Sequence, residues 1–219
     1  MTLRNTINVG LLWLAGGLLF AEEIPNANAG NKRIVILGDS ITAGYGLDPQ
    51  QAYPALLQEK INAASLPYTV TNAGVSGDTT AGGLRRVDWA LGQKPTEVLV
   101  IALGGNDGLR GLPPSQTEKN LAAIVDKARA KNPEIKVLIA GMQMPENFGK
   151  EFVAQFHAVF PKVSKDKQIT LVPYLLDGVG GDARLNQPDR IHPTAEGQQR
   201  VAENVWKVLK MQFTKQPAH

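Results

Sequence analysis

The residues that could do chemistry begin where an apolar run, Ile34-Val35-Ile36-Leu37, ends abruptly in Gly38-Asp39-Ser40. A serine on such a corner is a candidate nucleophile; it can equally cap the helix that follows. A serine nucleophile needs a base to take its proton, a group to orient that base, and donors for the oxyanion it creates. The chain holds three histidines. His219 is the terminal residue, and His157, beside Phe156 in a helical stretch, reads as a surface or half-buried residue. His192 stands in Asp189-Arg190-Ile191-His192-Pro193-Thr194, at the entry to the last helix. Asp189 precedes it by three residues. On a tight turn the two can face the same way, Asp189 holding one ring nitrogen while the other faces Ser40. The same pair could merely decorate a helix start. Gly77 and Asn106 suit the donor role. A glycine lets a backbone N–H approach closely, and an asparagine amide is a neutral donor that does not compete for the serine's proton. Each also reads as an ordinary turn or cap residue. Asp39 and Asp107 read as acids that brace loops through backbone amides.

These residues need a scaffold that brings them together, and the chain supplies alternating strands and helices. Four consecutive apolar residues without alternation read as a strand buried on both faces. Further strands are expected at Tyr68 to Asn72, Val98 to Leu103, Lys136 to Ala140 and Ile169 to Pro173. Helices are expected at Pro54 to Ala64, Gly82 to Leu91, Thr117 to Lys131, Lys150 to Lys167 and from Pro193 or Thr194 to Phe213. Pro161 should kink the fourth of these or end it early. Gly178 to Arg190 reads as irregular. The alternation predicts one three-layer α/β/α domain over residues 30–219, with a parallel sheet of about five strands and helices on both faces. The order 2-1-3-4-5 is the prior for such a chain. The loops after the strands then share one edge, so Ser40, the turn at Gly74 to Thr79 and the turn at Gly104 to Asp107 become neighbours.

Composition narrows the chemistry. The 219 residues, 43% hydrophobic, suit one domain with a full-sized core. A net charge of +3 without a Lys/Arg cluster does not indicate a nucleic-acid or membrane-surface partner. The absence of cysteine excludes disulfides, thiolate metal sites and a cysteine nucleophile. Three scattered histidines make a histidine-rich metal site improbable. Arg4, the apolar stretch Ile7 to Ala21 and Ala27-Asn28-Ala29 form the pattern of a signal peptide. Cleavage is expected after Ala29, leaving a periplasmic or secreted protein with no stable membrane anchor. No interface stripe stands out, and a monomer is the default. There is no Gly-x-Ser-x-Gly elbow and no phosphate-cradling glycine loop after the first strand.

Taken in order, the blocks resemble those of the SGNH, or GDSL-type, serine hydrolases, in particular the bacterial thioesterase I/protease I/lysophospholipase L1 (arylesterase) branch. Gly38-Asp39-Ser40 matches the nucleophile block and Asn72-Ala73-Gly74-Val75-Ser76-Gly77-Asp78-Thr79 the glycine block. Gly104-Gly105-Asn106-Asp107-Gly108-Leu109-Arg110-Gly111 matches the asparagine block and Asp189-Arg190-Ile191-His192-Pro193 the acid–base block. The resemblance covers essentially the whole mature chain and implies a flavodoxin-like fold. It implies Ser40 as nucleophile, His192 as base and Asp189 as its orienting acid. The N–H groups of Ser40 and Gly77, with the Asn106 side chain, would form the oxyanion hole. Loops around Gly108, Leu109 and Leu112, and around Met144 and Phe148, would cover the acyl chain of the substrate. No metal or organic cofactor is implied. The expected substrate is a small-molecule acyl ester or thioester. Carbohydrate O-acetylesterase activity is the alternative, and a non-catalytic binding module a more distant one.

Overall fold

A computed structural model describes residues 32–213. The signal-peptide segment and His219 lie outside the described residues. Five parallel strands form one sheet in the order β2-β1-β3-β4-β5. They are β1 (Lys32–Gly38), β2 (Tyr68–Gly74), β3 (Val98–Ala102), β4 (Lys136–Ala140) and β5 (Thr170–Val172). Ile34 to Leu37 and Val98 to Ala102 are wholly inaccessible. That is why neither run alternates with polar residues: helices cover both faces of these central strands.

The connections follow from handedness. The β1-to-β2 crossover carries α2 (Tyr53–Ala63) and runs toward one edge of the sheet. The next three crossovers carry α3 (Thr80–Leu91), α5 (Pro114–Lys131) and α6 (Lys150–Lys167), and run toward the other edge. Right-handed crossovers in opposite directions put their helices on opposite faces. Accordingly α3, α5 and α6 pack in a row, and the final helix α7 (Ala195–Leu209) packs beside α2. The direction reverses at β1, so the crevice beyond the carboxyl ends of β1 and β3 is where such a sheet receives a ligand. Two short helices sit there: α1 (Ser40–Ala43) and α4 (Gly105–Leu109).

Three expectations change. The helix α6 continues through Pro161 to Lys167. Its buried face, Phe156, Val159, Phe160 and Val163, spans the proline on both sides, while Pro161 itself is exposed. Packing therefore holds the axis even though the proline ring removes one N–H from the helix. The last helix ends at Leu209 rather than Phe213, and a 3₁₀ turn over Lys210–Gln212 follows. The glycine-rich segment expected as a plain loop folds as α4.

Candidate active site

Ser40 begins α1, immediately beyond β1. Asp39 caps this helix, its Oδ1 accepting the Ile41 N–H at 3.0 Å. The capping role open to Ser40 thus belongs to its neighbour. The turn is possible because residue 38 is glycine: a Cβ there would lie 1.9 Å from Thr42 Oγ1. At the N1 position, the Ser40 N–H has no intrahelical acceptor.

His192 comes from the opposite side, on a loop closed on itself. Residues Asn186 and Pro193 form an antiparallel bridge, and the Gln187 N–H donates to the His192 carbonyl at 2.7 Å. The Gln187 amide also donates to the Tyr45 carbonyl at 2.7 Å, fastening this loop to the segment after α1. From α7, Gln198 donates to the Ile41 carbonyl at 2.9 Å and accepts the Tyr53 N–H at 3.0 Å. The Tyr45 ring lies 4.5 Å from the imidazole, tilted by 37°.

The result is a continuous relay. His192 Nε2 is 2.9 Å from Ser40 Oγ, and His192 Nδ1 is 2.6 Å from Asp189 Oδ2. The other Asp189 oxygen accepts the N–H groups of His192 at 3.0 Å and Ile191 at 2.9 Å. The His192 backbone N–H and its ring, and to a lesser extent the Ile191 N–H, hold the Asp189 carboxyl down at about 2 against the opposing effect of burial. An ionised carboxylate only accepts, so Nδ1 carries the ring proton. In the neutral ring the Nε2 lone pair then faces the serine hydroxyl. Asp39 is the contrasting acid. It is almost wholly buried, and burial raises its carboxyl to about 6, partly opposed by the Ile41 N–H and by the charge of His192.

The donor candidates sit at the ends of β2 and β3. Gly77 adopts φ 77°, a left-handed conformation suited to glycine. Its carbonyl accepts from Arg110 Nη2 at 2.9 Å. Asn106, in the first turn of α4, donates one amide hydrogen to the Asp78 carbonyl at 2.9 Å, which leaves a second for an oxyanion. Asp107 is buried and accepts the Thr80 N–H at 2.8 Å and the Thr80 hydroxyl, joining α4 to the start of α3. Asn120 of α5 donates to the same hydroxyl at 3.0 Å. The sequence reading of Asp107 as a bracing acid matches this placement.

Arg86, which sequence reasoning passed over, ties the strand ends together. Its Nη2 donates to the Gly38 carbonyl and its Nη1 to the Ala73 carbonyl, both at 2.8 Å. Its Nε meets Asp78 Oδ2 at 2.6 Å. One guanidinium therefore fixes the residue before Asp39-Ser40, the end of β2 and the residue after Gly77. It lies in α3 among ordinary helix residues, and no local motif announces it. Tyr45 and Gln187 were equally silent.

A cavity of about 330 Å³ is lined by Ile41, Gly105 and Ile191, the chain neighbours of Ser40, Asn106 and His192. Ile41, Leu109, Met142, Met144, Leu176 and Ile191 give it an apolar wall, with Tyr174, Asn186 and Arg190 among its polar lining. Of the expected substrate-loop residues, Leu109 and Met144 line it. Gly108 lies behind Met144, since a Cβ there would come within 2.4 Å of Met144 Sδ. Leu112 is half-buried outside the lining, its N–H on the Asp107 carbonyl. Phe148 stacks on Phe152 with centroids 6.2 Å apart and does not reach the cavity. His157 is half-buried on α6 and has no hydrogen bond to the other site candidates. Among the described residues, no group of three or more His, Asp and Glu side chains is placed to hold a metal. No helix among them is long and apolar enough to cross a membrane.

Against known proteins, the model of the GDSL-like lipase/acylhydrolase family matches residues 36–200. The chain belongs to this family. It is 44% identical over 182 residues to the esterase TesA of Pseudomonas aeruginosa, covering 83% of this chain and 90% of that protein. It is 36% identical over 179 residues to thioesterase 1/protease 1/lysophospholipase L1 of Escherichia coli, covering 82% of this chain and 83% of that one. A crystal structure of TesA superposes with a TM-score of 0.79 at 44% identity, over 82% of this chain and 99% of that one. Family membership makes the protein a serine ester hydrolase with an α/β fold.

Proposed function

We propose that the protein is an exported esterase that hydrolyses acyl esters and thioesters through a Ser40–His192–Asp189 triad and an acyl-enzyme intermediate. The observation that carries this reading is the relay of 2.9 Å from Ser40 to His192 and 2.6 Å from His192 to Asp189. Ser40 Oγ attacks the acyl carbonyl carbon as His192 Nε2 takes its proton. The resulting oxyanion is held by the N–H groups of Ser40 and Gly77 and by the free hydrogen of the Asn106 amide. Collapse breaks the bond to the alcohol or thiol, which leaves with the proton from His192. A water then attacks the acyl-enzyme by the same route, releasing the acid and restoring Ser40.

The apolar wall of the cavity favours acyl chains over a sugar-bound acetyl group. Aryl esters, lysophospholipids and acyl thioesters of short-to-medium length are the proposed substrates. The printed names of the relatives, an esterase and a thioesterase/lysophospholipase, support that range. Export rests on the Arg4, Ile7 to Ala21 and Ala27-Asn28-Ala29 pattern alone. The test is hydrolysis of p-nitrophenyl esters from acetate to palmitate, beside Ser40→Ala. Turnover that peaks at one chain length and is abolished by the substitution is expected. Activity on acetate alone would favour the deacetylase alternative, and activity surviving Ser40→Ala would reject the assigned nucleophile.

A further inference from the structure

We infer that Arg190 is an anion-recognising residue at the acyl cavity, selecting substrates that carry a carboxylate or phosphate beyond the reacting ester. The inference rests on the esterase reading above and extends it to substrate choice.

Three observations converge on this side chain. The first is its backbone. Arg190 has φ 60°, in the left-handed region, between Asp189 and the Ile191–His192 pair. The turn itself requires this conformation, because it aims the N–H groups of both Ile191 and His192 at one Asp189 oxygen. Glycine would adopt it without steric penalty, whereas a residue with a Cβ is strained there. The turn thus explains the conformation and leaves the side chain unexplained. Strain held next to a reacting group points to a use for the residue that bears it.

The second observation is position. Arg190 lines the 330 Å³ cavity with Ile41, Leu109, Met144 and Ile191, and it is the one charged residue in that lining among the described residues. The third is that its guanidinium has no partner. Its backbone N–H donates to the Gln187 carbonyl, but among the described residues its side chain makes no ion pair and no hydrogen bond. Arg86 and Arg110, by contrast, are engaged with Asp78 and Gly77. Five N–H donors in a planar fork, free at the mouth of an apolar cavity, suit a carboxylate or a phosphate. The anion could sit at the far end of the acyl chain or on the leaving group.

The experiment uses three chromogenic esters of one acyl length: p-nitrophenyl pentanoate, mono-p-nitrophenyl pentanedioate and 3-carboxy-4-nitrophenyl pentanoate. The second carries its carboxylate on the acyl chain, the third on the leaving group. Their kcat/KM values are compared for the wild type, Arg190→Gly, Arg190→Gln and Arg190→Glu. Arg190→Gly also relieves the backbone strain, so folding is secured in at least one variant. The ratio of anionic to neutral ester should fall about five-fold in Arg190→Gly and Arg190→Gln, and about twenty-five-fold in Arg190→Glu. The fall should shrink as salt is added. A fall confined to the pentanedioate assigns the site to the acyl end, and one confined to the carboxynitrophenyl ester assigns it to the leaving group; either supports the inference. Ratios unchanged in all three variants overturn it. Hydrolysis of the neutral ester that survives Ser40→Ala would instead reject the underlying esterase mechanism, so the two failures are distinct.

Discussion

Asp39→Asn should make the protein more stable at neutral pH and leave it nearly unchanged in acid. The asparagine oxygen can accept the Ile41 N–H as Asp39 Oδ1 does, so the helix cap survives. What disappears is an ionisation in a buried place. Asp39 is 2% exposed, and its carboxyl is raised from 3.8 to about 6, chiefly by burial. The groups that face it act in opposite directions: His192 favours the charged form and Asp78 disfavours it. A folded value above the unfolded one means that folding favours the protonated acid. That stabilising contribution is complete below pH 3.8 and is lost as pH rises through 6. At 1.36 kcal/mol per pH unit, the loss amounts to roughly 3 kcal/mol. Urea unfolding of the two proteins at pH 4 and pH 8 measures it. The stability gap between Asp39→Asn and the wild type should widen by roughly 2.5 kcal/mol from the lower pH to the higher, because at pH 4 the unfolded acid, with its value of 3.8, is already partly ionised. Titrating groups that do not interact with Asp39, Asp189 among them, are common to both proteins and cancel in the difference. A gap that is the same at both pH values, within about 0.5 kcal/mol, would refute the reasoning. The extra stability should come at a catalytic cost, because the buried carboxylate also attracts the imidazolium formed on His192.

Asn106→Ala should lower kcat by about 10²- to 10³-fold with little change in KM, because an oxyanion donor acts only in the transition state; steady-state kinetics on one p-nitrophenyl ester decides this, and a loss confined to KM would contradict it. Arg86→Gln removes three contacts at once and leaves the Asp78 carboxylate unpaired. It should cost about 3–5 kcal/mol by denaturant unfolding and reduce kcat in the molecules that remain folded, with Arg86→Lys recovering only part of either. Leu109→Trp should occupy part of the 330 Å³ cavity and shift the ester chain-length optimum toward acetate, read from the same p-nitrophenyl series. Asp189→Asn should lower kcat by about 10³- to 10⁴-fold. Because Asp189 titrates near 2, any acid limb of the wild-type pH–rate profile above about pH 4 must belong to another group.

Much of the fold was legible in the chain because the central strands are buried on both faces. Ile34 to Leu37 and Val98 to Leu103 are apolar without alternation, and only a covered parallel sheet needs that. Alternating helical stretches and the handedness of crossovers then supply the layers. The site blocks were legible for a related reason. Each is short and local, a turn or a strand end in which residue type and backbone geometry are set by near neighbours. Gly38-Asp39-Ser40 and Asp189-Arg190-Ile191-His192 are of this kind.

What the chain left open depends on distant partners. Pro161 looked like a helix end because propensity is local, but the face formed by Phe156, Phe160 and Val163 overrides it. Phe148 looked like a groove residue because it is apolar and in a loop; it is instead claimed by Phe152. Arg86 reaches three acceptors that are 8, 13 and 48 residues away, and no spacing in the sequence encodes such a convergence. The strained backbone of Arg190 and its place in the cavity wall are likewise visible only in three dimensions. The sequence specifies which side chains can do chemistry, because that lies in their type and their local turns. Which of them meet, across 152 residues in the case of Ser40 and His192, is settled by the packing of the sheet, because burial and not chain proximity brings them together.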